Sequence, residues 1–437
     1  MGTKIGCREG DCGACTVLQG QLNNNHLTYQ SIVSCLTPLA NAHGTHIVTI
    51  EGLNTNTLNP AQKSIVDHAA TQCGFCTPGF VVALTGHLLI GKEGHAKHAV
   101  GGNICRCTGY KSIEKATLEV DDIKPSLLKG HEINEMIERK WLPAYFSDIE
   151  SRLTQIPDAK QDANSGVLMG GGTDLMVQQA DTIRHQEIDA TKKNLAIDVK
   201  LRNEKIFIGA GITVSDFFKH QIIQTHFPGL SAYAPLIASQ QIRHMGTLAG
   251  NIVNASPIGD MSIILLALDA TLVFDSSRQL KLKDFYLDYK KTALQQGELI
   301  NGIEIDFRLT GFKLHFEKVS KRTYLDIASV NSAFSIKTKN DIIQDLYFSA
   351  GGVGPYPKFM TNTCAYLKEK KLSTETLINA LKIMQQEISP ISDIRGSKTY
   401  KRLLLRQLFL QHFLKLFPHS FKETDLLQLM RTNTFAE

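Results

Sequence analysis

Between its cysteine motifs the chain carries one uncharged apolar run, Pro78–Ile90 (PGFVVALTGHLLI), of 13 residues. The run has helical length, and Thr77-Pro78 ahead of it reads as an N-cap followed by proline at the first helical position. A second helix is expected after Cys107. From Tyr110 to about Asp158 the pattern turns polar and irregular, with Pro125, Gly130 and Pro143 as punctuation, which reads as a helix-bearing linker between domains. A new apolar rhythm begins at SGVLMGGGTDLMV (165–177), a short strand, three glycines, a polar pair and renewed apolar residues. From about Leu314 apolar residues recur in strand-like runs, pass GGVGPYPKF (351–359) and give way to helices. Of these, SPISDIRGSKTYKRLLLRQLF (389–409) has amphipathic Leu/Phe spacing and is expected to pack on its own domain rather than on a membrane.

Composition narrows the class. The 437 residues carry 47 Lys and Arg against 42 Asp and Glu, a net charge of +5, with 43% hydrophobic residues. That is enough for two to four domains with ample core, and it excludes a disulfide-stapled miniprotein and a disordered tail. No basic block marks a nucleic-acid surface. The 13-residue apolar run is short of the ~20 residues of a membrane span. The segment MGTKIGCREG has neither an apolar signal core nor a cleavage site, so a cytoplasmic protein is expected. In that reducing setting cysteines serve more often as metal ligands or nucleophiles than as disulfide halves.

Eight of the nine cysteines precede residue 108, in two quartets. Cys7, Cys12, Cys15 and Cys35 are spaced C-x4-C-x2-C-x19-C, whose leading part matches the plant-type [2Fe-2S] pattern, a tight loop of three thiolates closed by a distant fourth. Gly10 and Gly13 permit the positive φ that turns amides toward the sulfides, and such hydrogen bonds raise the potential. A zinc knuckle is the alternative, although its spacings are usually C-x2–4-C on both sides. Cys73, Cys76, Cys105 and Cys107 form the second quartet, C-x2-C, then 28 residues, then C-x-C. Two helix starts beside it, with Arg106 between two thiols, would offset the charge of a thiolate-ligated cluster. Taken alone, that spacing also suits zinc. Cys364 lies far from both quartets and reads as a buried or bystander thiol, and the 15 histidines show no paired ligand spacing.

Three consecutive glycines, Gly170, Gly171 and Gly172, would let backbone N–H groups approach a phosphate, an ordinary Gly-rich turn being the alternative. IRHMGTLAGNIVNASPIGD (242–260) again mixes small residues with hydroxyl and amide side chains, as a cradle for pyrophosphate and ribose should. IFIGAGITV (206–214) begins like G-x-G-x-x-G, but Val214 stands at the third glycine and no clear βαβ unit surrounds it, so no Rossmann fold is expected.

On these residues the sequence resembles the molybdenum hydroxylases. GCREGDCGACT (6–16) is similar to their ferredoxin-type first domain, CGFCTPGF (73–80) and GNICRCTGY (102–110) to their helical second-cluster domain, and the glycine loops to their flavin domain. The resemblance implies an α+β multidomain fold. Its parts would be a β-grasp ferredoxin-like [2Fe-2S] domain (1–54), a helical [2Fe-2S] domain (55–125), a linker (126–140), a vanillyl-alcohol-oxidase (PCMH) type FAD-binding domain (141–312) and a C-terminal domain like that of CO dehydrogenase flavoproteins (313–420). It implies two [2Fe-2S] clusters on the eight cysteines, and an FAD whose diphosphate is wrapped by Leu168, Met169, Gly170, Gly171, Gly172, Thr173, Asp174 and Leu175 and by Thr247, Leu248, Ala249, Gly250 and Asn251. Asp260 would lie on the ribityl or ribose side. Ile237 sits where relatives often have an aromatic near the flavin or adenine, and Lys318 is either a phosphate contact or a surface lysine. FYLDYKKT (285–292) resembles F-F/Y-x-G-Y-R-K-T, which the xanthine dehydrogenase branch places beside the isoalloxazine ring; Asp288 replaces a glycine and Lys290 an arginine, and an exposed aromatic hairpin is the alternative. Relatives carry further residues ahead of the GTKIGC segment, so the ferredoxin-like domain is expected to be truncated, with unpaired strand edges.

The chain has no segment suited to molybdopterin. The resemblance therefore implies an electron-transfer subunit of the xanthine dehydrogenase branch, joined to a molybdenum-binding large subunit in a heterodimer or larger heteromer. That partner would oxidise hypoxanthine or xanthine to urate, with electrons passing through the clusters to FAD and on to NAD+. No catalytic side chain is assigned to this chain, and neither nucleic acid nor membrane is an expected partner. Two other enzyme readings remain, the corresponding subunit of an aldehyde or N-heterocycle dehydrogenase and a self-sufficient NADH:acceptor reductase. A non-catalytic zinc-binding scaffold, colourless and without flavin, is the alternative from a different class.

Overall fold

The computed structural model describes residues 2–23, 26–90, 94–157, 167–183, 185–186, 188–190 and 195–424. Ser165 and Gly166 of the first glycine motif lie outside them. The chain divides into two compact units, one of Met1–Asn194 with Thr213–Ser215 and Ala238–Gly246, the other of Leu195–Ile212, Asp216–Ile237 and Thr247–Glu437.

In the first unit β1 (Thr16–Asn23), β2 (His26–Val33) and β3 (His46–Val48) form an antiparallel sheet in the order β2-β1-β3, with Thr16 opposite Val33. The apolar run is a helix, Thr77–Leu89, buried from Gly79 to Leu89, as a helix without a polar face must be. Cys76, not Thr77, takes the N-cap place, and the Thr77 hydroxyl is spent on Thr71 Oγ1 at 2.6 Å. The second helix expected after Cys107 spans Lys111–Ile123. Phe80, Val82 and Leu88 pack with Leu18 and Val48 of the sheet and with Val120. Residues 126–140, read from the sequence as a linker, enter this same core through Leu127 and Met136, and Leu142 and Phe146 follow them. A short parallel pair, β4 (Val167–Met169) and β5 (Ile188–Ala190), precedes and follows the first glycine loop.

In the second unit β6 (Val199–Arg202), β7 (Lys205–Gly209), β8 (Thr271–Phe274), β9 (Gln279–Lys281) and β12 (Ile300–Asp306) make a five-stranded sheet ordered β6-β7-β12-β8-β9, with every pairing antiparallel. The GAG stretch at 209–211 thus leaves an antiparallel strand, not the parallel one a dinucleotide fingerprint needs. β10 (Tyr286–Asp288) and β11 (Lys291–Thr292) form a small hairpin. β13 (Lys313–Val319), β14 (Val330–Lys339), β15 (Ile342–Gly351) and β16 (Lys358–Phe359) form an antiparallel meander. Asn340 and Asp341, both at positive φ, make the two-residue turn between β14 and β15. The meander is covered on both faces: Ser349 Oγ donates to Ile263 O of the helix Asp260–Ala267 at 2.6 Å, while neighbouring Phe348 packs on Phe409 of the helix Lys398–Leu416. That last helix lies on its own domain, with Leu405, Phe409 and Phe413 in the core. No helix of the described residues is long and apolar enough to cross a membrane.

One polar chain interrupts this core. His412 Nε2 and Ser332 Oγ are 2.8 Å apart, His412 Nδ1 lies 2.8 Å from His315 Nδ1, and Phe334 stacks on the His412 ring. Burial, with His315 adding to it, holds the His412 imidazole well below its ordinary value of 6.5. The folded state therefore resists a proton that the unfolded chain accepts, so stability is full above about pH 6.5 and falls as pH drops below it. Denaturant titrations are expected to show a falling midpoint for the second unit from about pH 7.5 to 5.5. His412→Leu should flatten that dependence by up to about 1.4 kcal/mol per pH unit, and an equal slope in both proteins would contradict the assignment.

Candidate functional site

Strand pairing builds the first thiol quartet. With Thr16 opposite Val33, Cys15 meets the turn that follows β2, where Ser34 N and Oγ donate to Cys15 O at 3.2 and 2.9 Å, and Cys35 is the next residue. The other two thiols come from the loop ahead of β1, in which Arg8, Gly10 and Gly13 take positive φ (58°, 75° and 64°). The thiols are hydrogen-bonded in two pairs, Cys7 with Cys12 and Cys15 with Cys35. Hydrogen bonding from Cys35 draws the Cys15 thiol down to about 6, and the same bond pushes Cys35 up. Backbone N–H groups aim at the sulfurs: Glu9 (3.4 Å), Cys12 and Asp11 at Cys7, Ala14 at Cys12 and Gly10 at Cys35.

The second quartet has the same form. Cys73 and Cys107 sulfurs are 3.5 Å apart, and Cys76 is hydrogen-bonded to Cys105. Thr108 Oγ1 donates to Cys105 Sγ at 3.2 Å, and Cys105 N donates to the Tyr110 hydroxyl at 3.1 Å. Cys105 is buried, whereas Cys73 and Cys107 are exposed. A dinuclear cluster takes two thiolates on each iron, so two pairs of thiols ringed by N–H donors are the ligand set it needs. A tetrahedral zinc instead takes four ligands about one point. The residues thus fit a [2Fe-2S] group.

The first glycine loop also lies in the first unit. Met169 is buried and Leu168 largely exposed, Asn41 Nδ2 donates to Gly170 O at 2.9 Å, and Gly172 takes φ 73°. A side chain on Gly171 would collide with the Met245 carbonyl. That glycine is therefore required by packing whatever the loop binds. Thr173, Asp174 and Leu175 are partly exposed, and Asp174 makes no side-chain cap to the short helix Leu175–Gln178.

The second loop belongs to the second unit. Thr247 Oγ1 caps the helix Leu248–Asn254 by accepting from Gly250 N at 3.1 Å. Leu248 N and Ala249 N donate to Ile212 O and Ala210 O, Asn251 N donates to Thr247 O, and the Leu248 and Ala249 side chains are buried. Thr247 is buried as well, so Asn251, partly exposed, carries the loop's polar side-chain surface. Asp260 begins the next helix. Its Oδ2 accepts from Lys318 Nζ at 2.8 Å and its Oδ1 from Asn331 Nδ2 at 2.5 Å, while Lys318 also donates to Leu236 O at 2.8 Å. Lys318 is no surface lysine, with its side chain 2% exposed. Ile237, next to Leu236, is buried too. Of the aromatic hairpin, Tyr286 is buried with its hydroxyl 2.9 Å from Ser262 Oγ, and Tyr289 is exposed; Lys290 Nζ donates to Asn254 O at 2.7 Å. Sequence reasoning missed Asn331, whose only signal is its place opposite Gly351 on neighbouring strands.

Three domain families match in succession: a [2Fe-2S] binding domain over 49–118, the FAD binding domain in molybdopterin dehydrogenase over 149–306, and the CO dehydrogenase flavoprotein C-terminal domain over 315–416. Taken together, these matches make the chain similar over most of its length to the iron–sulfur and flavin parts of molybdenum hydroxylases. Among curated relatives of this family, the xanthine dehydrogenase of Emericella nidulans is 28% identical over 94% of this chain and 36% of its own length. Xanthine dehydrogenase 1 of Arabidopsis thaliana is 25% identical over 94% and 37%. The chain thus spans little more than a third of the relatives it matches. Solved structures share the fold over a little more than half of this chain: carbon monoxide dehydrogenase from Hydrogenophaga pseudoflava (TM-score 0.51, 22% identity, 56% of this chain and 86% of that one) and quinoline 2-oxidoreductase from Pseudomonas putida 86 (0.50, 20%, 57% and 88%).

Lys318→Met leaves Asp260 buried with an unmatched charge, which typically costs about 3–5 kcal/mol. Denaturant unfolding of the second unit should register that loss, and Lys318→Arg should recover part of it. No change in Lys318→Met would show the pair to be dispensable.

Proposed function

We propose that this chain carries electrons from a molybdenum-containing partner through two [2Fe-2S] clusters to FAD and on to NAD+, in the oxidation of hypoxanthine and xanthine to urate. The observation that carries the reading is the pair of thiol quartets, each divided two and two, on the same chain as the molybdopterin-dehydrogenase FAD domain. The bound cofactors would supply the redox chemistry, the clusters passing single electrons and FAD exchanging them for a hydride.

The residues of the chain would hold, tune and expose those groups. The N–H groups of Glu9, Gly10 and Ala14 favour thiolate charge at the first quartet. At the second, exposed Cys73 and Cys107 leave one edge open to a partner polypeptide. Leu168–Leu175 and Thr247–Asn251 are proposed as the FAD diphosphate contacts. Ile237, Asp260 and Lys318 would act from behind the ligand surface, since burial and mutual pairing leave them little to offer directly. A purine substrate is favoured because curated relatives that align over 94% of this chain are xanthine dehydrogenases.

Combining the purified chain with its molybdenum subunit should yield NAD+ reduction that depends on xanthine, and neither protein should give it alone. A pair that oxidises aldehydes or quinoline and ignores both purines would overturn the substrate. NADH oxidation by an artificial acceptor at the full rate without the partner would favour the self-sufficient reductase.

A further inference from the structure

The two cysteine loops are clamped to each other by backbone and side-chain hydrogen bonds. Ile104 N donates to Cys12 O at 2.9 Å, and the buried Asn103 side chain donates from Nδ2 to Gly13 O at 2.9 Å. Asn103 stands two residues before Cys105 of the second quartet, and Gly13 lies between Cys12 and Cys15 of the first. The amide orientations are settled by carbonyls, which can only accept: Gln241 Nε2 donates to Ala99 O at 3.3 Å and to Asn103 Oδ1 at 2.9 Å, so Asn103 turns its NH2 to Gly13 O. Three glycines clear the room. A side chain on Gly13 would meet Asn103 Nδ2 at 2.6 Å, one on Gly79 would collide with Gly13 O, and one on Gly102 with Gln241 Oε1.

The Gly13 carbonyl belongs to the same peptide group as the Ala14 N–H, which is hydrogen-bonded to the Cys12 sulfur. Donors on a peptide oxygen polarise the group and strengthen its N–H as a donor. Gly13 O receives two buried side-chain donors, Asn103 Nδ2 and Thr16 Oγ1 at 2.6 Å. Stronger N–H bonds to cluster sulfurs stabilise the more negative, reduced state.

We propose that Asn103 is a positioning residue which, together with Thr16, acts through the Gly13–Ala14 peptide on the Cys12 sulfur and raises the reduction potential at the first quartet. The inference rests on the reading of that quartet as a [2Fe-2S] ligand set. It makes the tuning of one site depend on a residue contributed by the loop of the other.

Redox-poised EPR of the holoprotein tests it, with the two signals assigned by the loss of one in Cys105→Ser. In Asn103→Leu, of similar shape but without a donor, the signal of the first quartet should need a lower applied potential for half-reduction. At a fixed potential near the unmodified midpoint its reduced-to-oxidised ratio should fall several-fold, tenfold being about 59 mV for one electron. The second signal and the FAD content should stay put. Thr16→Val withdraws the other donor, along with the long 3.4 Å contact that Thr16 Oγ1 accepts from Asn103 Nδ2, leaves Asn103 Nδ2 on Gly13 O, and should shift the same signal in the same direction. An unmoved first signal in Asn103→Leu, or equal shifts of both signals, overturns the proposal. If Asn103→Leu fails to hold iron, an unmoved first signal in Thr16→Val does so. Absence of a first-quartet signal from the unmodified holoprotein would instead remove the functional reading, and this inference with it.

Discussion

Thiols distant in sequence can share one cluster only if the segments that bear them are locked in register. At the first quartet the antiparallel pairing of Thr16 with Val33 supplies that lock, setting Cys15 beside Cys35. The pairing is held in turn by the core beneath it, where Leu18 and Val48 meet the wholly buried helix Thr77–Leu89. That helix begins at Cys76 of the second quartet. Sheet, helix and both ligand loops of the first unit are therefore one packing problem, and the glycines of the loops are where the backbone comes close enough to solve it.

In the second unit the corresponding constraint is electrostatic. Asp260 opens an apolar helix against a meander sheet, and its charge is tolerated because Lys318 from β13 and Asn331 from β14 both reach it. Such a pair adds little net stability but penalises any packing that separates its members, so it specifies how the helix seats on the sheet. A buried carboxylate held on both oxygens in this way supports a loop such as Thr247–Asn251, whose amides from Leu248 to Asn251 are already spent within the unit.

Legibility in the sequence followed the strictness of each physical demand. Cysteine spacing is a strict local signal, so the groups of thiols that the fold brings together, and the loop glycines with positive φ, could be read directly. A long uncharged run leaves little choice but a buried helix, and Thr77–Leu89 was legible to within a residue at its start; the cap shifted because Thr71 captures the Thr77 hydroxyl. Residues 126–140 looked like a linker because their composition is polar, yet a few well-placed side chains, Leu127 and Met136, suffice to join the core. Lys318 could not be placed because its partner lies 58 residues away. Asn103 was in plain view within GNICRCTGY, but its function depends on a carbonyl 90 residues earlier, which no local pattern announces.

The central claim is that the two quartets and the flavin domain form one electron-carrying chain. Its most direct test is iron, zinc and FAD per polypeptide on anaerobically purified protein, with an EPR spectrum after dithionite reduction. The account predicts about four irons, one FAD and two distinct [2Fe-2S] signals. Zinc in the cysteine sites with no flavin would contradict it.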